Sequence, residues 1–336
     1  MSTTQAFTGV GIEAEPLRQR LPLWLLRNGI VVALLVEILF FWSQSEKFMT
    51  VSNIRLVFLQ VAIVGIIAVP VAFLLMSGYI DFSMGSVLGF TAAIIGMTLD
   101  GGSSVLVAIG AGILAGAAVG ALQGAMSTKL TFSPIIVTLG FFVGVQGLTF
   151  VITDGKMRSG FPEAFTAIGQ GRTLGIPNPV LIMLAVFALG WIVHTRTRWG
   201  RYTVALGVNA EAAHRAGISK TRIPFWIYVA VGVASAVAGL IAASRLDATP
   251  PTLGDGTEIE VLAAVLLGGV SFGGGRGSLI GVLAGVLFIG LLNNGLILLG
   301  APPFWVRVSS GVALVVAAGL TALAIYIEKK KQGTST

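Results

Sequence analysis

Hydrophobic residues make up 55% of the 336-residue chain and charged residues only 10%, and the mean hydropathy is +0.93. Soluble domains carry about a quarter charged residues, so a water-facing exterior is excluded and lipid must cover the outside. With no cysteine, disulfides, thiol catalysis, zinc–thiolate sites and iron–sulfur clusters are excluded, and neither His194 nor His214, each beside basic residues, marks a metal site.

In hydrocarbon only helices and closed barrels satisfy their own backbones. Barrel strands alternate apolar and polar residues, whereas the apolar runs here are continuous and of bilayer-spanning helical length. Ten spans are predicted in chain order, at 24–43, 54–76, 82–99, 103–126, 134–153, 178–194, 223–243, 259–271, 279–299 and 304–326. The fold class is therefore all-α and polytopic, with a transmembrane body over 24–326 and tails at 1–23 and 327–336. The first 28 residues hold Glu13, Glu15, Arg18, Arg20 and Arg27, and no small-residue cleavage site follows the first apolar run, which is expected to stay as a span. Span eight is short, its uninterrupted part running from Val261 to Val270, and is expected to be an interrupted or partly re-entrant crossing.

Basic residues orient the chain. Arg18, Arg20 and Arg27 precede or open span one; Arg196, Arg198, Arg201, Arg215, Lys220 and Arg222 fill the loop after span six; Lys329, Lys330 and Lys331 follow span ten. An even number of crossings separates these clusters, which places all three, and both termini, on the cytoplasmic side. They sit at loops and ends, as membrane topology requires, and the +7 net charge is not read as a nucleic-acid surface. Trp24, Trp191, Trp199, Trp305 and Tyr326 read as interfacial anchors.

Glycine, 45 residues in all, is patterned. Gly112, Gly116, Gly120 and Gly124 form one ladder and Gly277, Gly281 and Gly285 another, which reads as close helix packing. Each ladder follows a span opened by an acidic residue, Asp81 or the pair Glu258 and Glu260, and a glycine-rich turn. Five crossings separate the two units, which suggests a five-plus-five inverted repeat of the kind transporters use.

The loop 195–222 contains a short helix over 209–217. Asn209 is the N-cap, Glu211 lies in the first turn, Ala212 and Ala213 favour helix, and Gly217 terminates it. So short a helix is unstable alone and is expected to lie in a partner's groove, on the membrane, or on its own bundle. Polar residues at membrane depth are functional candidates. Asp81 can cap span three through Ser83 or meet substrate; Asn293 and Asn294, and Gln146 in span five, can bind hydroxyls or bond between helices. Glu37 in span one is expected to be paired or to point into the bundle.

Gly207, Asn209, Ala212, Ala213, Gly217 and Ile218 match the G-x-N-x-x-A-A-x-x-x-G-I signature of permease subunits of ribose-type sugar ABC importers. Further segments resemble that family in order from about residue 48 to 320: Phe48 to Asn53, Gly78 to Ser86, Ser133 to Gly140, Ser244 to Glu258, Val265 to Gly277, and Asn293 to Leu296. Tyr79 replaces a frequent glycine, Val69-Pro70 stands where a glycine is usual and is expected to kink span two, and Ala242 replaces a frequent glutamate. The resemblance implies a binding-protein-dependent importer of a monosaccharide or related polyol in a bacterial inner membrane. Its partners would be two ABC ATPase subunits, which carry ATP and Mg, an extracytoplasmic sugar-binding protein, and a second permease chain, identical or related. This chain would bind no cofactor or nucleic acid and do no chemistry, and no phosphate-binding Gly-x-x-x-x-Gly-Lys-Ser/Thr loop is present. The coupling residues implied are Gly207, Asn209, Glu211, Ala212, Ala213, Arg215 and Gly217, and the substrate pathway would use Asp81, Ser83, Gln146, Asn293 and Asn294. Arg245, Asp247 and Glu258 either dock the binding protein or are solvated loop charges. Two alternatives keep a transport role: an ABC permease for a branched-chain amino acid or nucleoside, and an ion-coupled secondary transporter.

Overall fold

A computed structural model describes residues 17–302 and 304–333, with side chains described over 29–302 and 304–319. Most of the predicted N-terminal tail, the last three residues, and the side chains of Arg18, Arg20, Trp24, Arg27, Tyr326 and Lys329 to Lys331 lie outside what is described. The elements are α1 (Leu17–Gln44), α2 (Val51–Met76), α3 (Met84–Asp100), α4 (Val105–Thr128), α5 (Pro134–Thr153), α6 (Glu163–Gln170), α7 (Asn178–Arg196), α8 (Arg198–Val208), α9 (Ala210–Arg215), α10 (Arg222–Leu246), α11 (Thr257–Leu267), α12 (Leu279–Leu298) and α13 (Phe304–Gly333). Four two-residue strands are β1 (Arg158–Ser159), β2 (Arg172–Thr173), β3 (Ile176–Pro177) and β4 (Ala248–Thr249). They pair antiparallel as β1 with β4 and β2 with β3.

Among the described residues, α2, α4, α5, α7, α10 and α12 are each long and apolar enough to cross a bilayer. Their outward side chains are aliphatic and exposed, Leu106, Leu114, Ile136, Val143 and Val151 among them, as a lipid-facing surface requires. The core runs down α2, whose residues from Val61 to Met76 are nearly all buried, with α10 and α11 against it. Helix α2 continues through Pro70.

The glycine ladders set the helix spacing. A Cβ on Gly116 would strike the carbonyl oxygen of Gly232, one on Gly232 would strike that of Gly116, and one on Gly120 would strike that of Tyr228. Thus α4 and α10 touch backbone to backbone. The second ladder does the same between α12 and α11, where Gly281 faces Gly268 and Gly285 faces Ala264. Packing partners repeat between the two halves. Helix α3 contacts α4, α5 and α10; α11 contacts α12, α13 and α2. Ser104 and Ser278 cap α4 and α12 alike, each accepting from the backbone N–H three residues on.

Helix α11 has eleven residues, about 16 Å at 1.5 Å per residue, roughly half of a ~30 Å hydrocarbon core. The chain before it covers the remaining depth without helix. Thr249 lies against Gly96, Leu253 against Gly89, and Gly254 with Glu258 against Gly85, so residues 249–258 descend along α3. Glycines on α3 leave the room for this segment.

Candidate coupling surface and translocation path

Two helices, not one, occupy the loop 195–222. Thr197, extended, separates α7 from α8. Helix α8 buries Gly200, Thr203 and Leu206, one face at a spacing of three. Asn209 then breaks the helix in extended conformation (φ −159°) and caps α9, its Oδ1 accepting from the Ala212 N–H at 2.9 Å. Gly217 takes a left-handed φ of 85°. The Gly217 N–H donates to the His214 carbonyl at 2.9 Å, and the Ile218 N–H donates to the Ala213 carbonyl at 3.0 Å, which closes the helix end. Only Ala213 of α9 is buried; Glu211, Ala212, Arg215 and Gly217 are open to solvent. Glu211 lies 3.9 Å from Arg215 and 3.5 Å from Lys220.

The far end of α8 abuts the bundle backbone against backbone. The Gly275 N–H donates to the Met76 carbonyl at 2.9 Å, joining the 268–278 turn to the end of α2. A Cβ on Gly207 would meet both of those atoms, and one on Gly274 would come within 3.0 Å of Gly207 Cα and Gly78 N. Three chain segments therefore converge where only glycine fits.

Beside this junction sits a buried polar cluster. Asp81 is 1% exposed, and its Oδ1 accepts from both the N–H and the hydroxyl of Ser83 at 2.7 Å. Gln123 of α4 donates to the Ser83 hydroxyl, and Tyr228 of α10 donates to the Ile80 carbonyl at 2.9 Å. Asp81 and Ser83 thus fix the segment entering α3.

The two adjacent asparagines separate cleanly. Asn294 and Asn53 exchange two amide hydrogen bonds of 2.9 Å, which tie α12 to α2. Asn293 points elsewhere, donating to Glu260 Oε1 at 3.2 Å while its own Oδ1 is buried without a partner among the described residues. Gln146 donates to Asp255 at 2.9 Å, tying α5 to the descending segment.

Of the three predicted docking residues, Glu258 is 8% exposed and packs on α3. Arg245 is half-buried and donates to the Leu59 carbonyl at 3.0 Å. Asp247 accepts from the Phe161 N–H at 2.8 Å and holds the 154–177 segment in place. The loop folds into the bundle, so the three do not form one outer patch. Ser244 reinforces it, accepting from the Gly169 N–H and donating to the Phe165 carbonyl, each at 2.6 Å, which seats α6 on the end of α10. Glu37 is 7% exposed, and neither carboxylate oxygen has a partner among the described residues. Sequence reasoning missed α6, α8, Tyr228, Asp255 and Gln60, and it assigned no role to Glu260 beyond opening span eight.

An all-α membrane body with a small exposed helical platform at one end defines a polytopic transport protein. The model of the family described as branched-chain amino acid transport system / permease component matches residues 53–318. A ribose import permease protein of Escherichia coli (strain K12) is 37% identical over 313 residues, 92% of this chain and 95% of that one. The ribose import permease protein of Bacillus subtilis (strain 168) is 39% identical, covering 90% of both chains, and the L-arabinose ABC transporter permease protein of Azospirillum brasilense is 34% identical over the same shares. The chain belongs to this permease family, whose members are transport components. No solved structure matches.

Proposed function

We propose that this chain is the membrane subunit of an ATP-driven, binding-protein-dependent importer for a monosaccharide or related polyol. What supports the substrate class is similarity, along about nine-tenths of the chain, to permeases named for ribose and arabinose. What supports ATP-driven coupling is geometric. The α8–α9 platform is capped at both ends of α9, exposed on its outer face, and locked by glycine backbones to α2. A rigid, solvent-open platform transmits force from a cytoplasmic ATPase; a flexible loop would not. The exposed Arg196, Arg198, Arg201 and Lys220 beside it support a cytoplasmic setting for this end. Co-purification in mild detergent recovers an ABC ATPase, and cells carrying the assembled complex take up a labelled monosaccharide. A self-contained oligomer with no ATPase, even after cross-linking, would sink the proposal.

At Gly217 the left-handed backbone is the constraint, since a Cβ there meets nothing within 4 Å. Gly217→Val costs about 1–2 kcal/mol of local stability and loosens α9. Insertion is unchanged, while ATPase recovery and uptake both fall; unchanged uptake with full assembly counts against α9 as the ATPase seat.

A second permease chain docks, in this reading, on α5. Gly140, Gly144 and Gly147 are exposed and meet nothing within 4 Å, and Gly140 and Gly144 line an apolar groove of about 550 Å³ with Phe132, Ile136 and Leu148. Small residues on an otherwise aliphatic helix allow close helix pairing in lipid. Gly144→Leu leaves the chain folded but shifts it from dimer to monomer by mass photometry in nanodiscs. An unaltered dimer moves the interface elsewhere.

A further inference from the structure

A cavity of about 290 Å³ lies inside the chain, between α2, α10, α11, α12 and α13. Three helices, α2, α10 and α12, and the start of α11 deliver five polar side chains to it: Gln60, Arg245, Thr257, Glu260 and Asn293, with aliphatic side chains forming the rest of the wall. Polar and charged groups at this depth are costly unless used. Their bonding within the protein is incomplete. Arg245 spends one N–H on the Leu59 carbonyl and forms no ion pair among the described residues. Asn293 steadies Glu260 through its amide nitrogen and leaves Oδ1 buried and without a partner among the described residues.

We infer that this cavity is a substrate subsite within the single chain, built for a neutral polyhydroxyl molecule of monosaccharide size; the inference rests on the importer reading above. Its volume sits at the small end of ligand sites, about 300 Å³ upward, enough for one sugar ring. Arg245 supplies donors, Glu260 acceptors, and Gln60, Thr257 and the free Asn293 Oδ1 supply both or complete the set. Hydroxyls, each donor and acceptor, bridge such an array without adding net charge, and the aliphatic wall meets the ring's C–H faces. An amino-acid zwitterion would need the cation and the carboxylate but would leave the two amides and the hydroxyl idle.

The cysteine-free sequence makes the test direct. Thr257→Cys gives the full chain one thiol, and its labelling by a water-soluble methanethiosulfonate is followed in nanodiscs with D-ribose, D-allose, myo-inositol or L-leucine present. A polyol at about twice its dissociation constant slows labelling about threefold, and adding Asn293→Leu abolishes that protection. Ile297→Cys, also on the cavity wall, is protected in parallel and guards against a defect peculiar to one variant. No labelling at either position would show the cavity closed to water and overturn the subsite. Absence of protection by every polyol, in a chain whose assembled complex imports a labelled monosaccharide, would overturn the subsite and leave the importer reading intact. Protection by L-leucine alone would overturn both.

Discussion

Gly232→Leu abolishes the folded chain. At the crossing of α4 and α10, the Cβ of residue 232 would be placed against the carbonyl oxygen of Gly116, while Gly116 in turn abuts the Gly232 carbonyl. Neither obstacle is a side chain that can rotate away. The helices must separate, and the separation propagates along the ladder to Gly120 against Tyr228 and Gly124 against Phe225. Overpacking of a flexible core costs about 1–3 kcal/mol; a backbone-to-backbone crossing has less room to relax, so the cost exceeds that range. Size-exclusion chromatography of detergent extracts loses its monodisperse peak. Gly110→Leu, on α4 and away from the crossing, is the control, because its Cβ meets nothing within 4 Å and the peak persists. An unchanged melting temperature for Gly232→Leu would mean that α4 and α10 do not cross so closely.

Much of this bundle is legible from sequence because lipid imposes length and periodicity. A helix lies over part or all of each predicted span, six of them long and apolar enough among the described residues to cross a bilayer; the glycine ladders sit at the tight crossings, and Asn209 and Gly217 cap α9 as read. The misses have physical causes. Helix α8 hides behind Gly200, Gly207 and a run of arginines that read as loop; only the buried spacing Gly200, Thr203, Leu206 marks its face. Helix α6 carries a usable signal, Pro162 before Glu163 at a helix start, but its anchor on Ser244 is 75 residues distant. The candidate site suffers most. Arg245 and Glu258 look like loop charges until residues 249–258 are seen to descend along Gly96, Gly89 and Gly85. Adjacent Asn293 and Asn294 cannot be told apart without knowing which helix each faces. Local pattern finds elements; partners across the bundle decide which polar group is structural and which is free.

Gly207→Val separates the platform from the bundle without unfolding it. The new side chain lands on the Met76 carbonyl and the Gly275 N–H, which are bonded to each other at 2.9 Å. Either that hydrogen bond breaks or the end of α8 lifts away. Leaving a buried donor and acceptor unmet costs about 1–3 kcal/mol. The crossing of α4 with α10 and the paired amides of Asn53 and Asn294 are far from the change in sequence and share no contact with it, so insertion and monodispersity survive. Amide exchange at Gly275 accelerates by about 5- to 150-fold, the equivalent of that range. If the platform drives transport, uptake falls more than it does for Gly217→Val, since a Cβ at Gly217 meets nothing and Gly207 is wedged between two segments. Faster exchange with full uptake would keep the junction as structure and deny it a part in coupling. Unchanged exchange would deny the junction itself.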